Sequence, residues 1–225
     1  AIIIAAQSIK FIPRKNIKEF FGKPMIAWSI EAALKSNCFD RVIVSTEDKE
    51  TANIAEDYGA EVPFIRPAEL SDDHAGTIPV IKQAIQWLND YSQPPSLVCC
   101  LYATAPFVRA TDIIKGLGQL EQKKASYAFA VTSYAFPIQR AIKINDTDNI
   151  EMFTPEHFQT RSQDLEEAYH DAGQFYWGTA TAWLSEEVIF GPNSTPVILP
   201  RYRVQDIDTP EDWDRAEWLF KAMQK

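Results

Sequence analysis

RVIVSTEDKETANIAEDYG (residues 41–59) decides the fold. RVIVST is a β-branched run that ends in the polar Ser45 and Thr46, and KETANIAEDY then carries apolar residues at helical spacing up to Gly59, a natural C-terminal cap. A buried strand feeding a helix is half of a βαβ unit, and the same alternation extends in both directions. Upstream, AIIIAA (1–6) reads as a buried strand followed by a polar loop, and MIAWSIEAALKS (25–36) as a helix. Downstream, EVPFI (61–65) reads as a short strand, residues 77–91 as a helix and SLVCCLYA (96–103) as a continuous apolar strand. TDIIKGLGQLEQKK (111–124) predicts a helix capped by Thr111 or Asp112, and YAFAVTSYA (127–135) a further strand. Such a series implies an α/β fold: a mostly parallel twisted sheet flanked by helices, with ligands at the carboxyl ends of the strands. Residues 135–170 are irregular, with Pro137, NDTDN and Pro155, and read as an inserted lobe or arm. GQFYWGTATAWL (173–184) and PVILP (196–200) read as strands, and a last helix closes a single domain spanning 1–225.

Composition narrows the function classes. A 225-residue chain with 46% hydrophobic residues can bury a substantial core. The net charge of -9 leaves no basic excess to neutralise a run of phosphates, so nucleic acid is not expected as a partner. No apolar stretch approaches the roughly 20 residues that cross a bilayer, so no membrane association is expected. Cys38, Cys99 and Cys100 form neither a disulfide framework nor a zinc knuckle, and they fit a reducing, cytoplasmic setting.

Candidate site residues cluster at the strand ends. VQDIDTPEDW (204–213) places Asp206 and Asp208 two residues apart, so in extended backbone both carboxylates face one side and can hold one hard cation. The plainer reading is that they only solubilise the turn. Thr209 then reads as an N-cap, with Pro210 in the first helical position and Asp212 three residues after the cap. The loop AAQSIKFIPRKN (5–16) gathers Lys10, Arg14 and Lys15 directly after the first strand, a concentration of cations suited to a triphosphate or, more simply, to a solvated loop. FFGKPMIAW adds Lys23, RPAELSDDHAGT adds Ser71, Asp72 and Asp73, and LYATAPFV ends a strand in small and hydroxyl residues.

IPRKN, FGKP, LSDD, TAPF, TRSQDL (160–165), AYHDAGQFYWG (168–178) and DIDTPEDW stand in the order found in the CMP-sugar acid synthetases, which the chain resembles along essentially its whole length. Within that family it looks most like the branch acting on pseudaminic acid. The resemblance implies a Rossmann-like nucleotidyltransferase with a small inserted dimerisation arm at about 135–165. It implies a reaction of CTP with a nine-carbon 2-keto sugar acid, giving CMP-sugar and pyrophosphate with Mg²⁺. By the same resemblance Lys10, Arg14, Lys15, Asn16, Lys23 and Ser71 bind nucleotide, with Lys10 and Lys23 also catalytic. Asp206 and Asp208 bind the metal and serve catalysis. Tyr102, Thr104, Arg161, Gln163, His170, Asp171 and Gln174 line the sugar pocket, with Arg161 as carboxylate partner and His170 or Asp171 as proton acceptor. A homodimer whose arm completes the partner's site is also implied. The other readings are a synthetase for N-acetylneuraminic or legionaminic acid, a metal-dependent glycosyltransferase, and a non-catalytic nucleotide-binding homologue.

One departure stands out. Where the family reads ARGGSKRIPRKN, Ala6 takes the place of the arginine, Gln7 and Ser8 those of the glycines, Ile9 that of the serine and Phe11 that of the second basic residue. Side chains at the glycine positions narrow the backbone path to phosphate.

Overall fold

The computed structural model describes residues 1–6, 11–71 and 75–224. The elements in chain order are β1 (Ile2–Ile4), β2 (Glu19–Phe20), β3 (Lys23–Pro24), α1 (Met25–Ser36), β4 (Ile43–Ser45) and α2 (Lys49–Asp57). There follow α3 (Thr77–Tyr91), β5 (Leu97–Tyr102), α4 (Ala110–Lys123), β6 (Tyr127–Ser133), β7 (Ile142–Ile144) and β8 (Ile150–Met152). The chain closes with β9 (Tyr169–Thr179), α5 (Ala180–Leu184), β10 (Ser194–Ile198) and α6 (Pro210–Ala222).

A six-stranded sheet of order β10-β6-β9-β5-β1-β4 forms the spine. Its pairings are parallel except at β9, which runs antiparallel to both β5 and β6. The pleat assigns side chains to two layers. Ile3, Cys99, Leu101, Ala128, Ala130, Phe175 and Trp177 join the layer that includes Ile26, Ile30 and Ala33 of α1 and Ile113 and Leu120 of α4. Ile2, Val98, Cys100, Phe129 and Tyr176 face Ile81, Ala84 and Ile85 of α3 and Trp183 of α5. A third cluster seats α6 through Trp213 and Phe220 against Phe20, Met25 and Phe107. Gly116 lets α4 lie close on the sheet: a Cβ there would stand 2.7 Å from Trp177 Cδ1 and 2.8 Å from Phe175 Cε2.

Three local expectations are corrected. EVPFI is not a strand, since it adds one bridge, from Glu61 to Ile43; Pro63 has no N–H with which to extend a ladder. GQFYWGTATAWL is split, because the Thr179 side chain accepts from Ala182 N at 3.1 Å and starts α5. Helix α4 begins at Ala110 without a side-chain cap, and Asp112 lies in its first turn, committed to Arg203 instead of capping.

The segment between β6 and β9 carries the separate β7–β8 hairpin and short 3-10 turns at Ile138–Arg140, Pro155–His157 and Ser162–Asp164. Its apolar side chains are largely uncovered: Phe136 is 82% exposed and Ile144 74%. No helix among the described residues is long and apolar enough to cross a membrane.

Candidate functional site

The last residues of β1 and β5 open onto a cavity of about 210 Å³ lined by Lys15, Asn16, Thr77, Tyr102 and Thr104, among others. This is the carboxyl edge of the sheet, where open α/β folds take their ligands. The loop after β1 is folded back onto that edge. Asn16, nearly buried, donates from Nδ2 to the Ala6 carbonyl at 2.6 Å, and its own carbonyl accepts from Ile26 N at 2.8 Å. Arg14 adopts a left-handed φ of 57°, a conformation uncommon outside glycine, and its guanidinium pairs with Glu50 of α2. That contact raises the Arg14 pKa and holds the side chain beside the cleft that also holds Lys15, Asp48 and Thr51.

Lys15 reaches from this loop to the C-terminal segment. Its ammonium donates to the Ile207 carbonyl at 2.5 Å and to Asp208 Oδ1 at 3.1 Å. Asp206 and Asp208 lie in irregular extended backbone just before α6, whose start carries the capping box expected from Thr209 and Asp212. Solvent reaches Asp206, yet the protein crowding around its carboxyl displaces much of its hydration. That crowding first, and the charge of Asp208 second, raise its pKa, while Lys15 opposes the shift. Asp171 adds a further carboxylate to this field. Gly173, at φ 61°, carries the turn after Asp171 past Asp206, and a Cβ there would stand 3.9 Å from Asp206 Oδ1.

Asp171 is oriented from two sides, accepting from Gly173 N at 3.0 Å on Oδ1 and from the Tyr176 hydroxyl on Oδ2. Burial pushes the Tyr176 pKa upward, so the phenol stays protonated and donates. Tyr102 lies alongside, with ring centroids 5.3 Å apart, and its hydroxyl is 2.8 Å from Thr77 Oγ1. Burial raises the Tyr102 pKa as well. His170 donates from Nδ1 to the Asp171 carbonyl at 2.8 Å and stacks edge-on against Tyr134.

The structure therefore brings Arg14, Lys15, Asn16, Asp171, Asp206 and Asp208, with Tyr102 and Thr104, to one edge of the sheet. It places other candidates elsewhere. Lys23 is held by Glu31 Oε1 at 2.7 Å and over the Trp28 ring at 3.6 Å, and it does not line the cavity. Gln174 is 3% exposed and donates to the Arg203 carbonyl at 2.7 Å, which makes it a strut of the interior and not part of an open pocket wall. Arg161 and Gln163 lie exposed on the segment between β6 and β9, where the Arg161 Nε is 4.0 Å from Asp164. Ser71 donates to the Pro67 carbonyl at 2.9 Å and accepts from Arg66, closing a turn. Lys10, Asp72, Asp73 and the substituted glycine positions Gln7 and Ser8 lie outside the described residues.

Arg66 went unread in the sequence. It is 2% exposed and donates to the carbonyls of Ala5 and Ser45, each at 3.2 Å, while pairing with Glu47, so it ties the ends of β1 and β4 together. A lone arginine between Ile65 and Pro67 carries no local sign of such a role. A larger hollow of about 420 Å³ lies at the opposite edge of the sheet, around Phe39, Gln93 and Trp177. There Arg41 is committed to Glu61 and Ser92, and none of the converging carboxylates is present.

Two carboxylates two residues apart suit Mg²⁺, which takes one or two protein carboxylates and keeps its remaining positions for water and phosphate oxygens. Among the described residues no cluster of three or more acidic, cysteine or histidine side chains forms an all-protein cage.

The chain is similar to several known proteins. The chain is 46% identical over 221 residues to pseudaminic acid cytidylyltransferase of Campylobacter jejuni, covering 98% of this chain and 95% of the relative. It is 30% identical over 231 residues to CMP-N,N'-diacetyllegionaminic acid synthase of Legionella pneumophila, covering 100% of this chain and 97% of that one. The fold is shared with CMP:2-keto-3-deoxy-manno-octonic acid synthetase complexed with CTP, at a TM-score of 0.72 and 14% identity over 99% of this chain and 98% of the other. The family model described as cytidylyltransferase matches residues 1–209, and with that match and these relatives the chain belongs to the cytidylyltransferase family.

Proposed function

We propose that this chain transfers CMP from CTP to pseudaminic acid, releasing pyrophosphate, with Mg²⁺ as cofactor and as a homodimer. The observation that carries the reading is that Lys15, which lines the cavity with Tyr102 and Thr104, also joins Asp208, whose charge acts on Asp206. Cation and carboxylates from opposite ends of the chain meet there, which suits a polyanionic nucleotide. The 46% identity to the pseudaminic acid enzyme, against 30% to the legionaminic acid enzyme, favours pseudaminic acid among the candidate sugars.

In this reading the Lys15 ammonium leaves Asp208 for the triphosphate and neutralises charge on its oxygens, with Lys10 and Arg14 adding to the same field. Asp206 and Asp208 would hold Mg²⁺, which when bound offsets charge developing on the leaving pyrophosphate. Asp171, aimed by Tyr176 and the Gly173 amide, accepts the proton of the sugar's anomeric hydroxyl as that oxygen attacks the α-phosphorus in line. The reaction's work is mainly positioning and electrostatics, which fits a site built from charged side chains on short loops. The uncovered apolar side chains between β6 and β9 support pairing with a second copy, which would bring Arg161 and Gln163 to the partner's sugar carboxylate.

The test is pyrophosphate release from CTP and Mg²⁺ with pseudaminic, legionaminic and N-acetylneuraminic acids, alongside Asp208→Ala. Release with pseudaminic acid, lost in the variant, is the expected result. CTP binding without release for any acid would favour a non-catalytic nucleotide-binding protein and reject the reading.

A further inference from the structure

The segment 204–208 has no regular secondary structure of its own, yet it carries both aspartates. It is pinned downstream by the Thr209–Asp212 capping box and in the middle by Ile207, which is fully buried beneath α6. Its upstream anchor is Arg203. The Arg203 guanidinium, 91 residues from its partner, donates from Nη1 to Asp112 Oδ2 at 2.5 Å and from Nη2 to Oδ1 at 3.3 Å. Both side chains are about nine-tenths buried, at 9% and 11% exposed. The Arg203 carbonyl accepts from Gln174 Nε2 at 2.7 Å.

This fork does more than fill the interior. Asp112 belongs to the first turn of α4, directly after the TAPF loop whose Thr104 lines the cavity, and an N-terminal helical turn favours a carboxylate. Gln174 belongs to β9, three residues after Asp171. Arg203 therefore joins three elements: the first turn of α4, which follows the loop bearing Thr104, the strand bearing Asp171 and the segment bearing Asp206. A planar guanidinium held in two-point contact fixes direction as well as distance, which a single charge cannot do.

We infer that Asp112, Arg203 and Gln174 are positioning residues for cation binding: their buried clamp sets where Asp206 and Asp208 stand relative to the nucleotide wall. The inference rests on the proposed reading that these two aspartates hold the divalent cation. Groups that orient metal ligands without touching the metal characteristically change its affinity by about 10-fold to 100-fold when altered.

The experiment uses the full chain with Asp112→Asn, Gln174→Met and, as reference, Asp208→Ala. Mn²⁺ binding in the presence of CTP but without sugar acid is read from the electron paramagnetic resonance of free Mn²⁺, with the Mn²⁺ taken up by CTP alone subtracted, so no turnover is involved. Half-saturating Mg²⁺ for pyrophosphate release and the melting temperature are measured in parallel. For Asp112→Asn, folded at the assay temperature, both cation constants are expected to weaken together by about 10-fold, while the CTP KM at saturating Mg²⁺ moves less than about 3-fold. Gln174→Met, which removes only the bond to the Arg203 carbonyl, is expected to move the same constants in the same direction, and it decides the matter should Asp112→Asn unfold. Mn²⁺ binding within 2-fold of the parent in a folded variant overturns the inference. If Asp208→Ala alone loses Mn²⁺, the clamp fails and the metal reading stands; if Asp208→Ala binds Mn²⁺ like the parent, the metal reading fails first.

Discussion

Two irregular stretches of this chain, 204–209 and 134–168, contrast in how they are held. The first is short, crosses the carboxyl edge of the sheet, and is fixed by a buried ion pair, a buried isoleucine and a reciprocal helix cap. The second is long and satisfies its own backbone in a small hairpin and tight turns, but it leaves Phe136, Ile144, Ile150 and Phe153 facing solvent. Irregular backbone becomes a precise scaffold when side chains from distant elements close on it. Without them it remains a surface suited to a partner.

The contrast breaks most sharply at Asp208. Asp208→Ala should lower pyrophosphate release by about 10³-fold, roughly 4 kcal/mol of transition-state stabilisation, with little change in melting temperature because its side chain is 66% exposed. A variant retaining more than a tenth of the parent rate would remove Asp208 from the metal site.

Acidity probes the same stretch. The raised Asp206 pKa means that a proton competes with the cation at higher pH than at an ordinary aspartate, so half-saturating Mg²⁺ should rise by about 10-fold per pH unit below it. The sign for stability is opposite to that of a salt-bridged carboxylate. A raised folded pKa favours the folded state below the unfolded value of about 3.9, and this benefit is lost as pH rises through the folded value. Asp206→Asn should therefore raise the melting temperature of the metal-free protein at neutral pH, with the gain vanishing in acid. No gain at neutral pH would show that Asp206 carries no electrostatic strain.

Smaller effects sharpen the comparison. Thr209→Ala removes the acceptor of the Asp212 amide and should cost about 1 kcal/mol in denaturant unfolding. Ile144→Asp, in the long insert, should change monomer stability by less than about 0.5 kcal/mol while shifting the protein from dimer to monomer on a sizing column. A parent already monomeric at micromolar concentration would refute the assignment of that surface to a second copy.

Much of this was legible from local pattern. The period of MIAWSIEAALKS and KETANIAEDY gave α1 and α2, the β-branched and apolar runs gave β1, β4, β5 and β6, and Thr209 with Pro210 marked the start of α6. Misreadings fell where a single residue overrode the run, as Pro63 did in EVPFI and Thr179 did before ATAWL. In the candidate site, Lys15 was legible as charge in a loop after a strand, and Asp206 with Asp208 as two carboxylates at the spacing that extended backbone turns to one side. Arg66, Arg203 and Asp112 were not, since each gains its role from a partner or carbonyl distant in sequence. The contacts of Gln174 and Lys23 were not legible for the converse reason: neighbouring motif residues do not reveal that one amide turns inward or that Glu31 claims one ammonium.

The antiparallel course of β9 has a consequence for how this chain can change. Because β6 and β9 are neighbours running in opposite directions, with Ser133 opposite Tyr169 and Tyr134 N bonded to the Ala168 carbonyl at 3.0 Å, the long insert is an overgrown hairpin loop whose two feet touch. Nothing in the sheet is threaded through it. Each doubling of such a loop adds only about 0.6 kcal/mol of closure entropy. The insert can therefore be grown, trimmed or exchanged for another while the ladder beneath it keeps its register, so the length and exposed surface of the insert can vary without disturbing the strands that carry the sheet edge.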